Sequence, residues 1–230
     1  MRYVGSKAKL SKEIMPFINK ALKVFPNGMY IEPFVGGCNM IDKVKHHTRI
    51  GCDANKYLIE LLKLAQSDPG KIIESECFSR QAYKYIKSNT NLFHEWYVGL
   101  IGIMPTYNNQ WYHSFYNDID SSRFPNSKKC LLNQDLNGIQ LVNCDYKHIP
   151  IGTGNVIYCD PPYKIEDYYK IPFEHEEFYE WVREISRNNI VFVSEYVMPS
   201  DFTCIWQKII KPGINSTSRH KIEKLFIYKQ

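Results

Sequence analysis

The chain has 230 residues, 44% hydrophobic and 23% charged, with a formal net charge of +5. That size and composition suit one α/β domain with an insertion, or a large domain beside a small one. No run approaches the roughly 18 uninterrupted apolar residues of a membrane span, and Met1 to Lys7 carry no apolar signal core, so a cytoplasmic protein is expected. The seven cysteines form no C-x-x-C pair, which argues for reduced thiols and against a disulfide frame or a zinc site; no metal is expected. The positive charge permits a polyanionic partner without establishing one.

In chain order, apolar residues at Leu10, Ile14, Phe17, Ile18 and Leu22 recur at helical spacing, and Pro26-Asn27-Gly28 ends that helix. A short strand at 29–31 runs into Glu32-Pro33-Phe34-Val35-Gly36-Gly37, and a helix is expected from about Asn39. A second strand over 49–52 ends at Asp53, and an amphipathic helix follows over 57–65. This β-α-β-α order predicts a parallel, doubly wound sheet.

Between 67 and 138 the rhythm is lost. Helices are expected over 72–86 and 93–103, then an irregular run rich in aromatic and Asn residues over 106–116. An unbroken βαβ unit does not need so many residues, so 67–138 reads as an inserted, mainly helical subdomain between catalytic segments 1–66 and 139–230. Alternation then resumes. Strands are expected over 140–144, ending at Asp145, and over 156–159; a helix over 174–185; and strands over 190–193, 204–210 and 222–228.

Asp160-Pro161-Pro162-Tyr163, at the end of the strand over 156–159, is the most informative motif. In open α/β sheets ligands gather at the carboxyl ends of strands. There a carboxylate and a rigid proline carbonyl can both accept hydrogen bonds from one –NH2 group, and Tyr163 offers a face for a base to stack on. Gly36 lets the backbone approach a ligand. Asp53 ends the next strand at about the separation at which an acidic residue takes ribose hydroxyls. G-x-G-x-x-G is missing, which weakens a dinucleotide site. Asp145 can accept a bond from an adenine amine, or cap a turn. Gly5 and Ser6 can be a helix cap, beside which Lys7 could reach a carboxylate or phosphate.

Together, R-Y-x-G-x-K at Arg2 to Lys7, E-P-F-x-G at Glu32 to Gly36, D-x-N at Asp53 to Asn55, the D-P-P-Y motif and R-x-x-I-E-K-L-F-I-Y at Arg219 to Tyr228 resemble the Dam-like, alpha-group (D12-type) DNA adenine-N6 methyltransferases. The resemblance covers most of the chain. It implies a Rossmann-like sheet that uses S-adenosylmethionine as methyl donor and double-stranded DNA as substrate, and it leaves room for a cognate restriction enzyme as partner. It places Tyr3 and Lys7 in the N-terminal cofactor motif, Phe34 to Gly36 at the methionine end, Asp53 at the ribose and Asp145 at the cofactor adenine. Asp160 then stands between donor and target base. The chain departs from the family in having Gly36 followed by Gly37 and Cys38, and in lacking a threonine-bearing loop at Lys164 to Asp167. Within the insertion, Asn108, Asn109, Trp111, Arg123, Lys128 and Lys129 combine amides, a ring and cations suited to base edges and phosphates; the alternative is that Trp111 and Phe115 pack a small core of their own. An RNA N2-guanine methyltransferase also fits D-P-P-Y, though without need of the long insertion, and a catalytically silent DNA-binding relative would keep the fold.

Overall fold

The computed structural model describes residues 1–74, 79–116, 123–163, 173–210 and 221–229, apart from the side chains of residues 73, 74 and 123. Seven strands form one sheet: β1 (Tyr30–Glu32), β2 (Arg49–Asp53), β3 (Ile139–Asn143), β4 (Val156–Cys159), β5 (Ile190–Glu195), β6 (Phe202–Ile210) and β7 (Lys221–Tyr228). Their spatial order is β3-β2-β1-β4-β5-β7-β6. The first five pair in parallel, and β7 runs antiparallel to both β5 and β6.

The apolar run of β4 shows why the sheet needs cover on both faces. Val156 and Tyr158 belong to one buried cluster, and Ile157 and Cys159 to the other. A strand buried on both sides reads as continuous hydrophobics rather than as alternation. Helix α1 (Ser11–Val24) supplies Ile14 and Ile18 to the first cluster. Helix α7 (His175–Ile185) supplies Phe178 and Val182 to the second.

From β1 the chain winds outward through β2 to β3, then returns to lay β4 against the other side of β1. That reversal is a topological switch point, where the carboxyl ends of β1 and β4 open a crevice.

Between β2 and β3 lie α2 (Lys56–Ser67), α3 (Pro69–Glu74), α4 (Arg80–Ser88), α5 (Glu95–Ile103) and α6 (Arg123–Leu132). The expected single helix over 72–86 is thus two helices, with residues 75–78 outside the described set. The helix expected near Asn39 is only a 3-10 turn, Ile41–Lys43, and α6 had no counterpart in the sequence reading. Helix α5 lies so close to α2 that a Cβ on Gly99 would stand 2.1 Å from the Tyr57 carbonyl oxygen. Ile72, Tyr83, Val98 and Leu131 from these helices join the same buried cluster as Ile14 and Leu58, so their packing is continuous with one face of the sheet. Among the described residues no helix is long and apolar enough to cross a membrane.

Candidate active site

Strand β1 delivers Glu32 and then the glycine turn. Gly36 adopts φ +48°, a left-handed conformation that glycine takes without a Cβ penalty. Its N–H donates to Asp53 Oδ2 at 3.1 Å, while Asp53 Oδ1 accepts from the Asn55 N–H at 2.9 Å. A carboxylate has about four acceptor positions, so each oxygen of Asp53 keeps capacity for a further donor. Burial pushes the Asp53 carboxyl above its ordinary value, and the two N–H groups oppose that shift. Asn55 in turn caps α2, accepting from the N–H groups of Tyr57 and Leu58.

The N-terminal segment closes over this turn. The Tyr3 ring lies 3.2 Å from where a Cβ on Gly36 would stand. From the segment between β2 and β3, the Gln134 side-chain amide donates to the Gly37 carbonyl at 2.8 Å and is within reach of that of Cys38 at 3.1 Å. The turn is therefore clamped from two directions, by Tyr3 and by Gln134.

Lys7 is only 5% exposed; its ammonium forms an ion pair with Asp160, 2.8 Å from Oδ1, and donates to the Gly5 carbonyl at 3.0 Å. Asp160 follows β4, and Pro161 beside it is buried. Tyr163 is 7% exposed. Its hydroxyl donates to Glu223 Oε2 at 2.9 Å, the Lys7 ammonium sits 4.6 Å from the ring centroid, and the Tyr196 ring meets it edge-on at 4.6 Å. Burial, with Asp160 and Glu223 nearby, drives the Tyr163 phenol well above its ordinary value. The ring is thus enclosed rather than offering the open stacking face that the sequence reading gave it.

Glu32, at the end of β1, is 3% exposed and accepts from the Tyr30 hydroxyl at 2.7 Å. Burial raises its carboxyl well above the usual range; the Tyr30 bond opposes that shift and the Asp160 charge adds to it. The sequence reading quoted Glu32 and Glu223 within motifs without giving either a role, and named neither Tyr196 nor Gln134.

Asp145 is exposed, and its Oδ1 accepts from the Lys147 N–H at 3.0 Å, which caps the 3-10 turn Tyr146–His148. The capping alternative is therefore realised, with the second oxygen outside that bond. Phe34 belongs to an aromatic cluster with Tyr146, Phe173 and Phe178, at centroid distances of 5.3, 5.8 and 5.7 Å.

The residues expected to face DNA separate. Asn108 is exposed. Asn109 turns inward, its amide donating to the carbonyl of Met104 at 3.2 Å and to Ser127 Oγ at 3.0 Å. The Trp111 indole stacks on Tyr57 at 5.3 Å and 13°, and a Cβ on Gly102 would stand 2.5 Å from it. This corrects the reading of Trp111 as a DNA contact: the ring packs α5 against α2. Lys128 lies over the Phe124 ring at 5.3 Å, and Lys129 is exposed. Arg123 begins α6, with its side chain outside the described set. Lys164 to Asp167 and Arg219 also lie outside the described residues. A cleft of about 830 Å³ separates the N-terminal segment, with Arg2, Tyr3 and Lys9, from Asn108, Tyr116 and Asn133.

With Gly36, Asp53 and Asp160 gathered at one switch point, comparison with known families is decisive. The sequence profile of the D12 class N6 adenine-specific DNA methyltransferases matches residues 3–180. The chain belongs to that family. It is a D12-class methyltransferase, built on the Rossmann-like methyltransferase sheet.

None of the curated proteins matches the chain. Among solved structures, the D12-class chain is similar to the rRNA methyltransferase aviRa from Streptomyces viridochromogenes, with 10% identity and a TM-score of 0.45 over 99% of this chain and 86% of that one. It is also similar to TrmN from Thermus thermophilus, with 9% identity and a TM-score of 0.36 over 92% and 48%. The protein SMU.472, solved in complex with SAH, shows 9% identity and a TM-score of 0.39 over 100% and 54%.

Proposed function

We propose that this methyltransferase moves a methyl group from S-adenosylmethionine to the N6 amine of an adenine flipped out of double-stranded DNA. The observation that carries the reading is the Lys7–Asp160 pair: a buried N–H donor held 2.8 Å from the motif carboxylate, at the mouth of the β1–β4 crevice. An amine entering this crevice finds the acceptor that the ammonium now uses.

The residues fit the donor. The left-handed Gly36 turn is packed under the Tyr3 ring, which fixes its backbone, and Asp53 keeps acceptor capacity for ribose hydroxyls. In this reading Phe34 and Gly36 border the methionine end, and the second oxygen of Asp145 takes the cofactor adenine. When bound, S-adenosylmethionine supplies a methyl group on a sulfonium that leaves readily.

The protein's own contribution is geometric. The lone pair of an adenine amine is delocalised into the ring, which makes it a poor nucleophile. The Asp160 carboxylate and the Pro161 carbonyl would accept hydrogen bonds from its two N–H groups, favouring a pyramidal nitrogen with the lone pair aimed at the donor. As the nitrogen–methyl bond formed, the methyl–sulfur bond would break to leave a neutral thioether, and Asp160 would take up the proton lost by the amine. Positioning of this kind lowers a barrier by about 7–11 kcal/mol, and fixed dipoles add to it. Flipping the base costs a few kcal/mol, which stacking on Tyr163 offsets in part once Lys7 withdraws from the ring. Residues 67–138 would serve as the target-recognition region, with Asn108, Lys128 and Lys129 on the DNA side.

The test is transfer of tritiated methyl from S-adenosylmethionine to duplex DNA and, in parallel, to RNA, with product nucleosides identified by mass spectrometry. N6-methyl-2′-deoxyadenosine from the DNA is expected. Label found only as N2-methylguanosine in RNA would favour the alternative substrate, and label in neither would refute an active enzyme.

A further inference from the structure

Strand β7 carries a carboxylate where the fold calls for an apolar side chain. Residues two apart on a strand share a face. Leu225 and Ile227 on β7 pack in the cluster that also holds Tyr30 and Tyr158, and Glu223 belongs to their row. Glu223 is 8% exposed. A charge in such a row is costly unless it is bonded, and its carboxylate accepts from the Tyr163 hydroxyl at 2.9 Å.

That bond completes a three-point hold on one ring. Lys7 covers a face of Tyr163, the Tyr196 ring abuts it at 89°, and Glu223 anchors its hydroxyl. Lys7 also pairs with the Asp160 carboxylate that an incoming amine would share, so its hold on the ring is the one the substrate would disturb. Tyr196 restrains the ring by packing alone. The hydroxyl anchor is the directional restraint that persists. The four groups form a chain, with Glu223 on the Tyr163 hydroxyl, Tyr163 under Lys7, and Lys7 on Asp160.

We propose that Glu223 is a positioning residue for methyl transfer, fixing the ring plane of Tyr163 beside Asp160 by holding its hydroxyl from β7. The inference rests on the proposed transfer to DNA. A ring free to turn about its side-chain torsions would meet an incoming base in many orientations, whereas an anchored ring meets it in one. Glu223 therefore acts on the chemical step and not on cofactor binding.

The experiment compares the full chain with Tyr163→Phe, Glu223→Ala, Glu223→Gln and the Tyr163→Phe/Glu223→Ala double variant. Turnover on unmethylated genomic DNA is measured at saturating S-adenosylmethionine, with cofactor affinity by calorimetry. Tyr163→Phe and Glu223→Ala should each lower kcat about tenfold, the equivalent of one hydrogen bond, while cofactor affinity stays within about twofold. The double variant should be no slower than either single one, because both delete the same bond. Glu223→Gln keeps an acceptor and should recover to within about threefold of the wild-type rate. Wild-type turnover in Glu223→Ala, multiplied losses in the double variant, or a Glu223→Gln as slow as Glu223→Ala would overturn the inference.

A spectroscopic arm separates this from failure of the DNA reading. In protein labelled with 13C at the tyrosine ring carbon that bears the hydroxyl, the Tyr163 signal is assigned by its loss in Tyr163→Phe. It should shift in Glu223→Ala and return in Glu223→Gln. A signal unmoved in Glu223→Ala overturns the proposal even if the wild-type protein transfers nothing to DNA; a shifted and restored signal with an inactive wild type refutes the DNA reading and leaves the anchor standing.

Discussion

Lys7 and Asp160, 153 positions apart in sequence, meet in a 2.8 Å ion pair that is 5% exposed on one side and 20% on the other. The pair ties the N-terminal segment to the end of β4, and it occupies the acceptor that the proposed chemistry requires. Removing one partner of such a pair leaves the other as an uncompensated buried charge. Any substitution here therefore has two consequences, one for the fold and one for the chemistry.

Asp160→Ala strands the Lys7 ammonium and should destabilise the protein by about 3 kcal/mol. Asp160→Asn keeps a carbonyl acceptor for Lys7 and isolates the chemistry. Its melting temperature should stay near wild type while kcat falls about 10²–10³-fold, as for loss of one preorganised electrostatic group. Single-turnover transfer measurements decide. Retention of more than about a tenth of wild-type kcat, a loss of only about 1.4 kcal/mol, would remove Asp160 from its proposed role.

Glu32 gives a pH prediction. Its carboxyl titrates well above the ordinary range in the fold, first because of burial, and near about 4.3 in an unfolded chain. Between those two values the folded state binds more protons than the unfolded state, so this residue makes stability fall as pH rises. Glu32→Gln keeps an acceptor for the Tyr30 hydroxyl and carries no proton to lose. It should therefore melt higher than wild type at pH 8, and the gap should close as pH falls toward about 4.3. Thermal melts across that range test it; a variant less stable than wild type at pH 8 would show that Glu32 stays charged in the fold.

Much of this site was legible because strand-terminal residues carry their meaning locally. Asp53, Gly36 and Asp160 each follow a short apolar run, and the order of those runs fixes a parallel sheet whose switch point collects them. What was not legible depends on side-chain direction and distant pairing. Glu223 lies 60 residues from Tyr163; it falls within the closing R-x-x-I-E-K-L-F-I-Y run, but its partner cannot be read from its neighbours. Asn108 and Asn109 are neighbours of the same type with similar φ of 55° and 53°, yet one faces out and the other bonds Met104 and Ser127. The helix expected from Asn39 fails because residues 36–40 form turns, starting from left-handed Gly36 and including Cys38 at φ 56°.

Asp53→Asn should weaken S-adenosylmethionine binding by about 1.5–3 kcal/mol, the range for a hydrogen bond to a charged group. Asp53 also receives the Gly36 and Asn55 N–H groups, and an asparagine offers one acceptor oxygen where there were two. Part of the loss therefore arises from a looser glycine turn. Calorimetry with S-adenosylmethionine and with methionine alone separates the contributions, because only the first carries a ribose. Equal losses for the two ligands would assign the whole effect to the turn, and unchanged affinity for both would move the ribose site elsewhere.

The insertion supplies the sharpest contrast, since its candidate residues now fall into groups with different expected phenotypes. Asn109 and Trp111 point into the fold, through bonds to Met104 and Ser127 and through stacking on Tyr57. Trp111→Ala should cost about 3 kcal/mol of stability, the lower end for a large ring that is only half-buried. Asn109→Ala should cost about 1–3 kcal/mol by leaving partners unsatisfied. Neither should change which DNA sequence is methylated. Asn108 is exposed on the rim of the 830 Å³ cleft, and its left-handed φ of 55° marks a loop residue held in an uncommon conformation. If it reads a base edge, Asn108→Ala should lower transfer at the preferred site by about 1–3 kcal/mol and leave other sites unaffected. Lys129 is exposed on α6, and a phosphate contact there carries no sequence information. Lys129→Ala should therefore weaken all DNA alike and reduce the salt slope by about one. Melting temperatures, methylation-site sequencing and binding at several salt concentrations measure the three phenotypes on the same variants. Should Asn108→Ala and Lys129→Ala leave site choice and salt slope at wild-type values, the proposed recognition role of residues 67–138 fails.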